Sequence, residues 1–428
     1  MKLLLIYPPF CTPTMMPYSI SYLKSFVESN SDIEVKALDL NAKFHKLRFK
    51  RYYDKLNKEE HGNLLTEFYD ESKEVYAKNH REIVMGKEPE LIDEMLQIIE
   101  KEKPTHIAFS IVYNSQNFYT DKLIDRLDIP IITGGEAVCK KVRKKTISLK
   151  NEIELLEFFN IKPKNLATMP DFSDYDKNDY LTKDIIIPVK SSTSCYYKRC
   201  TFCTHHKSLP YHELPIDNLT ESRNYFFIDD MIPLKRLLQI SNEMKRRKAR
   251  WSVQLRPSKE IIPHLKELSS SGLRSVAWGV ESGNDDILKK MQKGTNAKDI
   301  ADVLKESKKH GIINMAFIMF GFPTETKEQF IDTIDFLKGN KDNIDLISVS
   351  IFGLQEGSLI YENPKKFGII SIRKIKRTVL DDQIEYECAD GLTQQQARRL
   401  RSRYSKTIRN IESLPRVLNY LKDQTLFF

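Results

Sequence analysis

Short apolar runs separated by longer polar stretches recur along the chain, and four of them come early. Runs of four to eight apolar residues bounded by turn signals predict buried strands, and amphipathic intervals predict helices. The early runs are rich in branched residues and occupy 3–7, 34–40, 106–112 and 130–133. Strands that alternate with helices predict a parallel sheet, here of Rossmann or flavodoxin type.

The segments between and after these runs are mostly polar. The interval 43–103 predicts one or two exposed helices, the segment 140–150 is basic, and a short helix is predicted at 152–159. Two prolines and several aspartates at 163–184 predict a linker.

Six further strands are predicted in the second half of the chain, at 185–189, 225–228, 251–255, 275–280, 315–320 and 346–352. Amphipathic helices are predicted between them, for example at 234–247, 261–270 and 297–310. Six consecutive β-α units predict a partial (β/α)6 TIM barrel. The tail from Arg373 is basic and helix-prone, with its clearest helix at 394–410, and predicts a helical C-terminal cap.

The fold class is therefore α/β: an N-terminal Rossmann/flavodoxin-like sheet, a partial barrel and a cap. Over the 428 residues we predict a Rossmann-like domain at 1–160, a linker at 161–184, the barrel at 185–360 and the cap at 361–428. This length supports large cores without disulfide or metal staples.

Composition and charge restrict the partners. Apolar residues make up 40% of the chain, which excludes extensive disorder, and no run approaches the roughly 20 apolar residues that span a bilayer. Prolines at positions 8 and 9 end the first apolar run before it can form a signal peptide. The net charge of +9 mixes both signs and is weak support for nucleic-acid binding. We expect a cytoplasmic protein without nucleic-acid or membrane partners.

The six cysteines are unevenly distributed. Cys11, Cys139 and Cys388 are scattered, whereas three lie within nine residues, directly after the first strand of the predicted barrel: Cys195, Cys200 and Cys203. Three thiolates on one loop can bind a [4Fe-4S] cluster and leave one iron open to a small molecule. A Cys3His zinc site with His205 or His206 as fourth ligand is the alternative.

The cysteine loop resembles that of the radical S-adenosylmethionine (SAM) superfamily, with Phe202 as the aromatic residue before the last cysteine. Four residues separate the first two cysteines, one more than the usual pattern. Later strands end in Phe-Ile-Asp-Asp at 227–230, Gln-Leu-Arg-Pro at 254–257, Gly-Val-Glu-Ser-Gly at 279–283 and Gly-Phe-Pro-Thr-Glu-Thr at 321–326. These elements resemble the superfamily's SAM-facing motifs in order and in position, at strand ends where barrel active sites are built.

The resemblance implies that the cysteines bind a [4Fe-4S] cluster and that SAM is cleaved to a 5′-deoxyadenosyl radical, which abstracts hydrogen from a substrate C–H bond. It also implies a reductant protein such as flavodoxin or ferredoxin. The SAM-binding residues it suggests are Phe202, Asp229, Asp230, Glu281, Ser282, Gly321 and Pro323.

The N-terminal part resembles the cobalamin-binding domain that precedes many radical SAM barrels. The resemblance lies in Tyr-Pro-Pro-Phe at 7–10, Pro17, Ser110 and the pair Gly134 and Gly135, and it implies bound cobalamin. No Asp-x-His-x-x-Gly motif is present, so a histidine ligand to cobalt is not expected. A scaffold of this type that no longer binds the cofactor is the alternative.

Several reactions remain open at this stage. Cobalamin would favour methylation or rearrangement, whereas Cys388 resembles the cysteine with which radical SAM peptide epimerases return a hydrogen atom. The expected substrate is a peptide, such as a ribosomally made precursor (RiPP), or another small natural product. Basic residues near 46–51, 140–150 and 373–377 could attract an acidic leader peptide. A zinc-containing or partner-binding module without enzymatic activity is the alternative outside enzymology.

Overall fold

The structure is a computed structural model that describes residues 1–139, 146–166, 168–205, 207 and 210–428. It divides into two compact units. The first comprises Met1–Pro188, Asn218–Glu221 and Lys376–Asp382, and the second comprises Val189–Asp217, Ser222–Ile375 and Gln383–Phe428. The domain boundaries proposed from the sequence stay predictions. Within the described residues, no helix is long and apolar enough to cross a membrane.

The first unit is built on a parallel five-stranded sheet with strand order β2-β1-β3-β4-β5. Its strands are β1 (Lys2–Tyr7), β2 (Glu34–Asp39), β3 (His106–Ser110), β4 (Ile131–Gly134) and β5 (Thr146–Ser148). Its helices are α1 (Tyr18–Glu28), α2 (Leu40–Arg48), α3 (Lys50–Lys55), α4 (His61–Val84), α5 (Ile92–Lys101), α6 (Gln116–Arg126) and α7 (Glu152–Phe158).

The core of this sheet explains why its strands were predictable. Leu3, Leu4, Leu5 and Ile6 are all fully buried, as expected for a parallel sheet covered on both faces. The four early strands and the helix at 152–159 are confirmed. The edge strand β5 was not predicted, because its three residues lie beside the basic segment, of which 140–145 is outside the described residues.

The polar interval 43–103 forms more structure than the sequence indicated. Instead of one or two exposed helices it contributes most of α2 and all of α3, α4 and α5. The 24-residue α4 buries one face completely, including Leu64, Leu65 and Phe68. Many charged residues lie between these apolar positions, so the composition of the interval alone indicated exposed helices.

The segment predicted as a linker packs against the first unit. Lys24 Nζ lies 2.7 Å from Asp171 Oδ2 and 2.9 Å from Asp174 Oδ2, and Lys36 Nζ lies 2.8 Å from Asp174 Oδ1. The Tyr180 hydroxyl donates to the buried carboxylate of Asp39, at the end of β2. These contacts hold the segment that leads into the second unit.

The second unit contains a parallel six-stranded sheet with strand order β11-β10-β9-β8-β7-β6. All six predicted strands are present: β6 (Ile187–Val189), β7 (Asn224–Phe227), β8 (Arg250–Leu255), β9 (Leu273–Glu281), β10 (Ile313–Phe320) and β11 (Leu346–Ile351). The helices between and directly after these strands are α8 (Leu234–Arg247), α9 (Leu265–Ser270), α10 (Asp285–Lys290), α11 (Ala297–Lys309), α12 (Lys327–Gly339) and α13 (Leu359–Glu362). Sequential parallel strands joined by helices form the predicted partial barrel.

The tail contains strands as well as the predicted helix. An antiparallel hairpin of β12 (Ile369–Ile375) and β13 (Gln383–Cys388) precedes α14 (Gln394–Arg409). The hairpin was not predicted because charged residues interrupt both strands, whose side chains are largely exposed on one face. Short 3-10 helices lie at Lys177–Asp179, Lys259–His264, Lys341–Asn343, Pro364–Phe367, Arg416–Asn419 and Lys422–Phe427.

The ion pairs of Asp174 predict a pH-dependent contribution to stability. Burial alone would raise the pKa of this carboxyl, but hydrogen bonds from Lys36, the Ala37 N–H and Lys24 lower it. We expect Asp174→Ala to lower the free energy of unfolding by about 3 kcal/mol at neutral pH, because two lysines and one N–H lose their partner. The more exposed Asp171→Ala, the matched control, should cost about 1 kcal/mol.

The sign of the pH dependence follows from the lowered pKa. The contribution is complete above the unfolded pKa of about 3.9 and is lost as pH falls through the lower folded pKa. Urea unfolding of both variants between neutral and acidic pH measures it. A difference between Asp174→Ala and the unmodified chain that persists unchanged at the acidic end would contradict the assignment.

Candidate functional site

The predicted cluster and SAM residues lie at one edge of the second sheet. The cysteine loop follows β6, Asp229 and Asp230 follow β7, Glu281 ends β9, and the Gly321 segment follows β10. Because all six strands are parallel, their carboxyl ends share an edge, where barrel active sites are built. The structure therefore brings together residues that are far apart in the sequence.

The three loop cysteines are free thiols of intermediate exposure. Burial, together with the nearby thiols of Cys200 and Cys195, raises the pKa of Cys203 to about 11 against a backbone hydrogen bond from His205. Burial likewise raises the pKa of Cys200, to which Cys195 also contributes. These mutual effects indicate that the thiols face a common region. Their side chains are not gathered around one point, since no group of three His, Cys, Asp or Glu in the described residues is arranged to hold a metal ion.

The donor set itself fits an iron-sulfur cluster with one open iron. Three thiols on a single short loop match the ligands that such clusters use, and no other cysteine of the chain lies nearby in sequence. His205, one candidate fourth ligand of a zinc site, has its Nδ1 hydrogen-bonded to Asp230. The other candidate, His206, lies outside the described residues.

Asp229 anchors the strand that leads into the cysteine loop. It is 3% exposed, and its two oxygens accept four hydrogen bonds: two from the Ser191 N–H (3.0 and 2.9 Å), one from Ser191 Oγ (3.0 Å) and one from Ser192 Oγ (2.7 Å). Burial raises the pKa of this carboxyl, and the serine hydrogen bonds oppose the rise. This geometry assigns Asp229 to holding the loop, whereas Asp230 is more exposed and pairs with His205.

Glu281 forms a buried ion pair that the sequence did not indicate. Its Oε1 lies 2.8 Å from Lys293 Nζ, and both side chains are largely buried. A Cβ built on Gly279 would lie 2.7 Å from that Nζ, so the glycine leaves room for the pair. Burial would lower the pKa of Lys293, but Glu281 and the Cys200 thiol raise it. The ammonium is also 6.0 Å from the centre of the Phe202 ring.

Ser282 is fully buried and supports the local backbone. Its Oγ lies 3.0 Å from Thr333 Oγ1 and accepts a hydrogen bond from the Asn284 N–H at 3.1 Å. The neighbouring Gly283 packs so closely on Phe336 that a side chain could not fit. The Glu-Ser-Gly turn is therefore held rigidly behind Glu281.

The Gly321–Thr326 segment is held by a buried carboxyl. The Gly321 N–H donates to Glu325 Oε2 at 2.5 Å, and the Tyr386 hydroxyl donates to the Gly321 carbonyl at 3.1 Å. Glu325 is fully buried, and burial raises its pKa to about 7 against the Gly321 hydrogen bond. Its Oε1 has no hydrogen-bond partner among the described residues. Pro323 lies in the turn between these groups.

Cys388 lies in an apolar cluster that also contains the aromatic residue of the cysteine loop. Burial raises the pKa of its thiol, and a backbone hydrogen bond from Thr324 opposes the rise. The cluster is formed by Ile287, Met291, Phe322, Phe352, Leu354, Ile360 and Ile369, with Phe202, Met319, Tyr361, Phe367, Ile372, Ile384, Tyr386 and Cys388 packed against it. The hairpin thus contributes side chains to the same apolar region as the cysteine loop.

The residues suggested for cobalamin lie on neighbouring strands of the first sheet. Ser110 ends β3 and is paired in register with Gly134 at the end of β4. Ser110 Oγ donates to Ser19 Oγ at 2.8 Å. Gly135 has φ 115°, and a side chain there would run into the Ile111 carbonyl, so its identity follows from backbone packing. These small residues at the carboxyl edge fit a cofactor bound in the usual position of doubly wound sheets.

Comparison with known families identifies the domain that contains this site. The family model described as "Radical SAM superfamily" matches residues 229–337, which begin at Asp229 and end in α12. The segment 229–337 is therefore a radical SAM domain. The matched segment carries the Asp-Asp, Gly-x-Glu-Ser-Gly and Gly-x-Pro-x-Glu-Thr elements, and the cysteine loop directly precedes it.

Two curated proteins that resemble this chain are described as methyltransferases. Bacteriochlorophyllide d C-12(1)-methyltransferase of Chlorobaculum tepidum is 29% identical over 209 residues, or 44% of this chain and 46% of the relative. An uncharacterized methyltransferase of Pyrococcus horikoshii is 30% identical over 140 residues, or 32% of this chain and 30% of the relative. The chain spans less than half the length of each of these relatives.

Two solved structures share the fold of nearly the whole chain. TsrM of Kitasatospora setae, a radical SAM methyltransferase with cobalamin and a [4Fe-4S] cluster bound, has a TM-score of 0.56 at 13% identity and covers 89% of this chain and 82% of its own. The cobalamin-dependent radical enzyme OxsB has a TM-score of 0.55 at 14% identity and covers 86% and 56%. At this identity the likeness shows the fold, which confirms the predicted order of parallel sheet and partial barrel.

Lys293, Tyr197 and Arg256 were not among the predicted site residues. Lys293 stands alone between two helices, and a single lysine carries no motif signal. Tyr197 and Arg256 lie inside the motifs noted above, but only the folded chain brings them into contact. Their proximity depends on tertiary structure and is not visible in spacing.

The two neighbouring aspartates should differ strongly in their effect on folding. We expect Asp229→Ala to lower the free energy of unfolding of the metal-free protein by about 3 kcal/mol, because buried serine donors lose their acceptor. The matched Asp230→Ala should cost under about 1 kcal/mol, since its pair with His205 is partly exposed. Urea unfolding measures both values, and equal losses would refute the anchoring role of Asp229.

Proposed function

We propose that this protein is a cobalamin-dependent radical SAM methyltransferase. The observation that carries the proposal is the three-cysteine loop at the carboxyl edge of a six-stranded parallel sheet, in a chain that also has a cofactor-type parallel sheet at its N-terminus. The methyltransferase relatives and the two cobalamin-dependent neighbours of the same fold support this choice.

The barrel residues divide into ligands, binding groups and a water-excluding wall. Cys195, Cys200 and Cys203 would hold the [4Fe-4S] cluster, whose open iron binds SAM and whose reduced form supplies the electron that cleaves it to methionine and a 5′-deoxyadenosyl radical. Asp230 and Glu281 present carboxylates to the cationic part of SAM. Phe202 contributes to the apolar cluster that excludes water, which a reactive radical requires.

The Gly321 segment would line the apolar part of the SAM site. Gly321 and Pro323 are both buried, and Glu325 and Tyr386 hold the segment from both sides. Ser282 and Asp229 act through the backbone they fix, since their polar atoms bond to neighbouring residues. We therefore assign both to positioning and assign direct SAM contacts to Phe202, Asp230, Glu281, Gly321 and Pro323.

The N-terminal sheet would bind cobalamin at its carboxyl edge, through Ser110, Gly134 and Gly135. Bound there, the cofactor supplies a methyl group for transfer to the substrate carbon from which hydrogen has been removed. Ser110 has a hydroxyl that can turn from Ser19 toward a ligand, and Gly134 keeps the strand end open. If the N-terminal sheet binds no cobalamin, the proposed methylation loses its methyl donor.

The substrate would carry an unactivated C–H bond, in a peptide such as a ribosomally made precursor or in another natural product. The basic residues near 46–51 and 373–377 give little support for an acidic substrate, because most of them already form ion pairs within the chain: Arg48, Lys50, Arg51, Arg373 and Lys374. The other predicted basic segment, 140–150, lies mostly outside the described residues. A small reductant protein such as flavodoxin or ferredoxin would reduce the cluster. We propose a cytoplasmic enzyme that needs no nucleic acid or membrane.

Anaerobic reconstitution tests this function. We expect the chain to bind about four iron atoms and to release 5′-deoxyadenosine from SAM, whereas Cys200→Ala should lose both properties because a cubane cluster needs all three thiolates. Cys11→Ala, a matched control outside the loop, should behave like the unmodified chain. A colourless protein that holds one zinc ion would refute the enzyme assignment in favour of a zinc module.

The methyltransferase step has its own readout. Protein reconstituted with hydroxocobalamin should retain corrinoid after gel filtration, and a methyl-deuterated SAM should transfer label to cobalt on reduction. Ser110→Tyr should reduce retention at least about tenfold, since a bulky side chain at the strand end obstructs the cofactor. Failure of the unmodified protein to retain corrinoid would rule out cobalamin-dependent methylation.

Peptide epimerisation without cobalamin is the second candidate, and the position of Cys388 favours it. Its thiol packs in the same apolar cluster as Phe202 of the cysteine loop, where a substrate radical would form. A cysteine there could donate a hydrogen atom from its S–H to a carbon-centred radical, and the resulting thiyl radical would then need an electron and a proton from the reductant. The net result is an inverted stereocentre.

Deuterium labelling separates the two candidates. In heavy water the thiol exchanges its hydrogen, so an epimerase should place deuterium in its product, and Cys388→Ala should abolish this incorporation. Cys139→Ala is the matched control for a buried cysteine outside the apolar cluster. Incorporation that is unchanged in Cys388→Ala would remove the thiol from the mechanism.

A further inference from the structure

The cysteine loop contains one more residue than the usual spacing, and the structure shows where the extra length goes. Lys198, between Cys195 and Cys200, adopts φ 56°, a left-handed conformation that is uncommon for residues other than glycine. Such a conformation persists only where surrounding contacts impose it. The widened loop therefore needs a support outside itself.

Tyr197 provides one contact to that support. Its hydroxyl donates to the Gln292 carbonyl at 2.8 Å. The Arg256 guanidinium lies over its ring, 4.1 Å from the ring centre, which is close for a cation–π contact. The side chain directly before the strained Lys198 is thus held both at its hydroxyl and on its ring face.

Arg256, just after β8, holds the same neighbouring segment. Its Nη1 donates to the carbonyls of Lys293 (3.2 Å) and Gly294 (3.0 Å). Gly294 has φ 67°, and an added Cβ would lie 2.6 Å from this Nη1 and would also run into the Tyr197 hydroxyl. Tyr197 and Arg256 therefore both contact the segment Gln292–Gly294, and only a glycine at position 294 lets the two side chains come this close to it.

The clasped segment presents the buried ammonium described above. Lys293 lies at its centre, and its Nζ points toward Glu281 Oε1, 2.8 Å away. The same Nζ lies 6.0 Å from the centre of the Phe202 ring, in the cysteine loop. A continuous set of contacts therefore connects the cysteine loop, the end of β8 and the ion pair at the end of β9.

We propose that Tyr197 and Arg256 form a clasp that holds the widened cysteine loop at a fixed position relative to the Lys293–Glu281 pair. They are positioning residues for the cluster, and this role rests on the proposed function. The clasp replaces the constraint that the shorter spacing would impose on the loop. Tyr197 contributes the hydroxyl contact to Gln292, and Arg256 contributes the contacts to the carbonyls of Lys293 and Gly294. Each part can therefore be removed by its own substitution.

Alkylation of the metal-free chain tests the clasp without depending on a cluster. In the full-length protein, Tyr197→Leu should increase the rate at which iodoacetamide modifies Cys195 and Cys200 about tenfold, because a cation–π contact and a hydrogen bond are lost together. Tyr197→Phe keeps the ring and should increase the rate less. Cys388 in the same sample is the internal control and should not change.

The arginine and the strained lysine provide matched variants. Arg256→Lys keeps the charge but lacks the planar fork over the ring, and should resemble Tyr197→Leu. Lys198→Gly removes the conformational strain without touching the clasp and should alkylate like the unmodified chain. Equal rates at Cys195 and Cys200 in the unmodified chain, Tyr197→Leu and Arg256→Lys would overturn the clasp.

Reconstituted protein tests its effect on the cluster. Tyr197→Leu should bind as much iron as the unmodified chain but show altered EPR g-values of the reduced cluster and about tenfold faster bleaching in air, as expected for a loosened ligand loop. Unchanged g-values and bleaching would reject the positioning role. Unmodified protein that binds no iron would instead refute the proposed function, and the alkylation rates would still decide the clasp.

Discussion

The second unit depends on one buried carboxylate at the start of its sheet. In a parallel sheet the loops that follow the strands are the least restrained parts, because no hairpin partner fixes them. Asp229, just beyond β7, accepts hydrogen bonds from the Ser191 N–H and from the hydroxyls of Ser191 and Ser192. Beside it, the Ile228 N–H donates to the Val189 carbonyl. The first two strand ends are thereby joined before the cysteine loop begins. This junction fixes the residues that lead into the cysteine loop.

The architecture was largely predictable because parallel strands are buried on both faces. The runs around Leu3–Ile6 and 315–320 are nearly uninterrupted by charge, and such runs have few alternatives to a buried strand. The order of motifs behind the strands then indicated the barrel edge. The hairpin that ends at Cys388 was not predictable in this way, since its strands carry several charged residues and are mostly exposed or half-buried. It is stabilised by packing with Phe352 and Ile360 and by the hydrogen bond from Tyr386 to the Gly321 carbonyl.

The site was predictable as a set of motifs but not as a set of roles. Glu281 and Asp229 are both acidic residues at strand ends, and the sequence treats them alike. The fold separates them, because Asp229 faces the backbone of Ser191, whereas Glu281 faces the ammonium of Lys293. Which partner each acidic residue takes depends on the elements packed beside it, and that information is tertiary.

The buried pair of Lys293 and Glu281 also has an energetic consequence. Removing two charges from water costs several kcal/mol per ion, and their mutual attraction offsets this only in good geometry, so a buried pair adds little to stability. Well-packed apolar side chains in place of Lys293 and Glu281 would fold as well or better. The pair is therefore best explained by what its charges do at the cysteine loop, where Cys200 and Phe202 lie close to the ammonium. A fixed positive group beside thiolates stabilises their charged, metal-binding form, and this requires the segment that carries Lys293 to be held firmly in place.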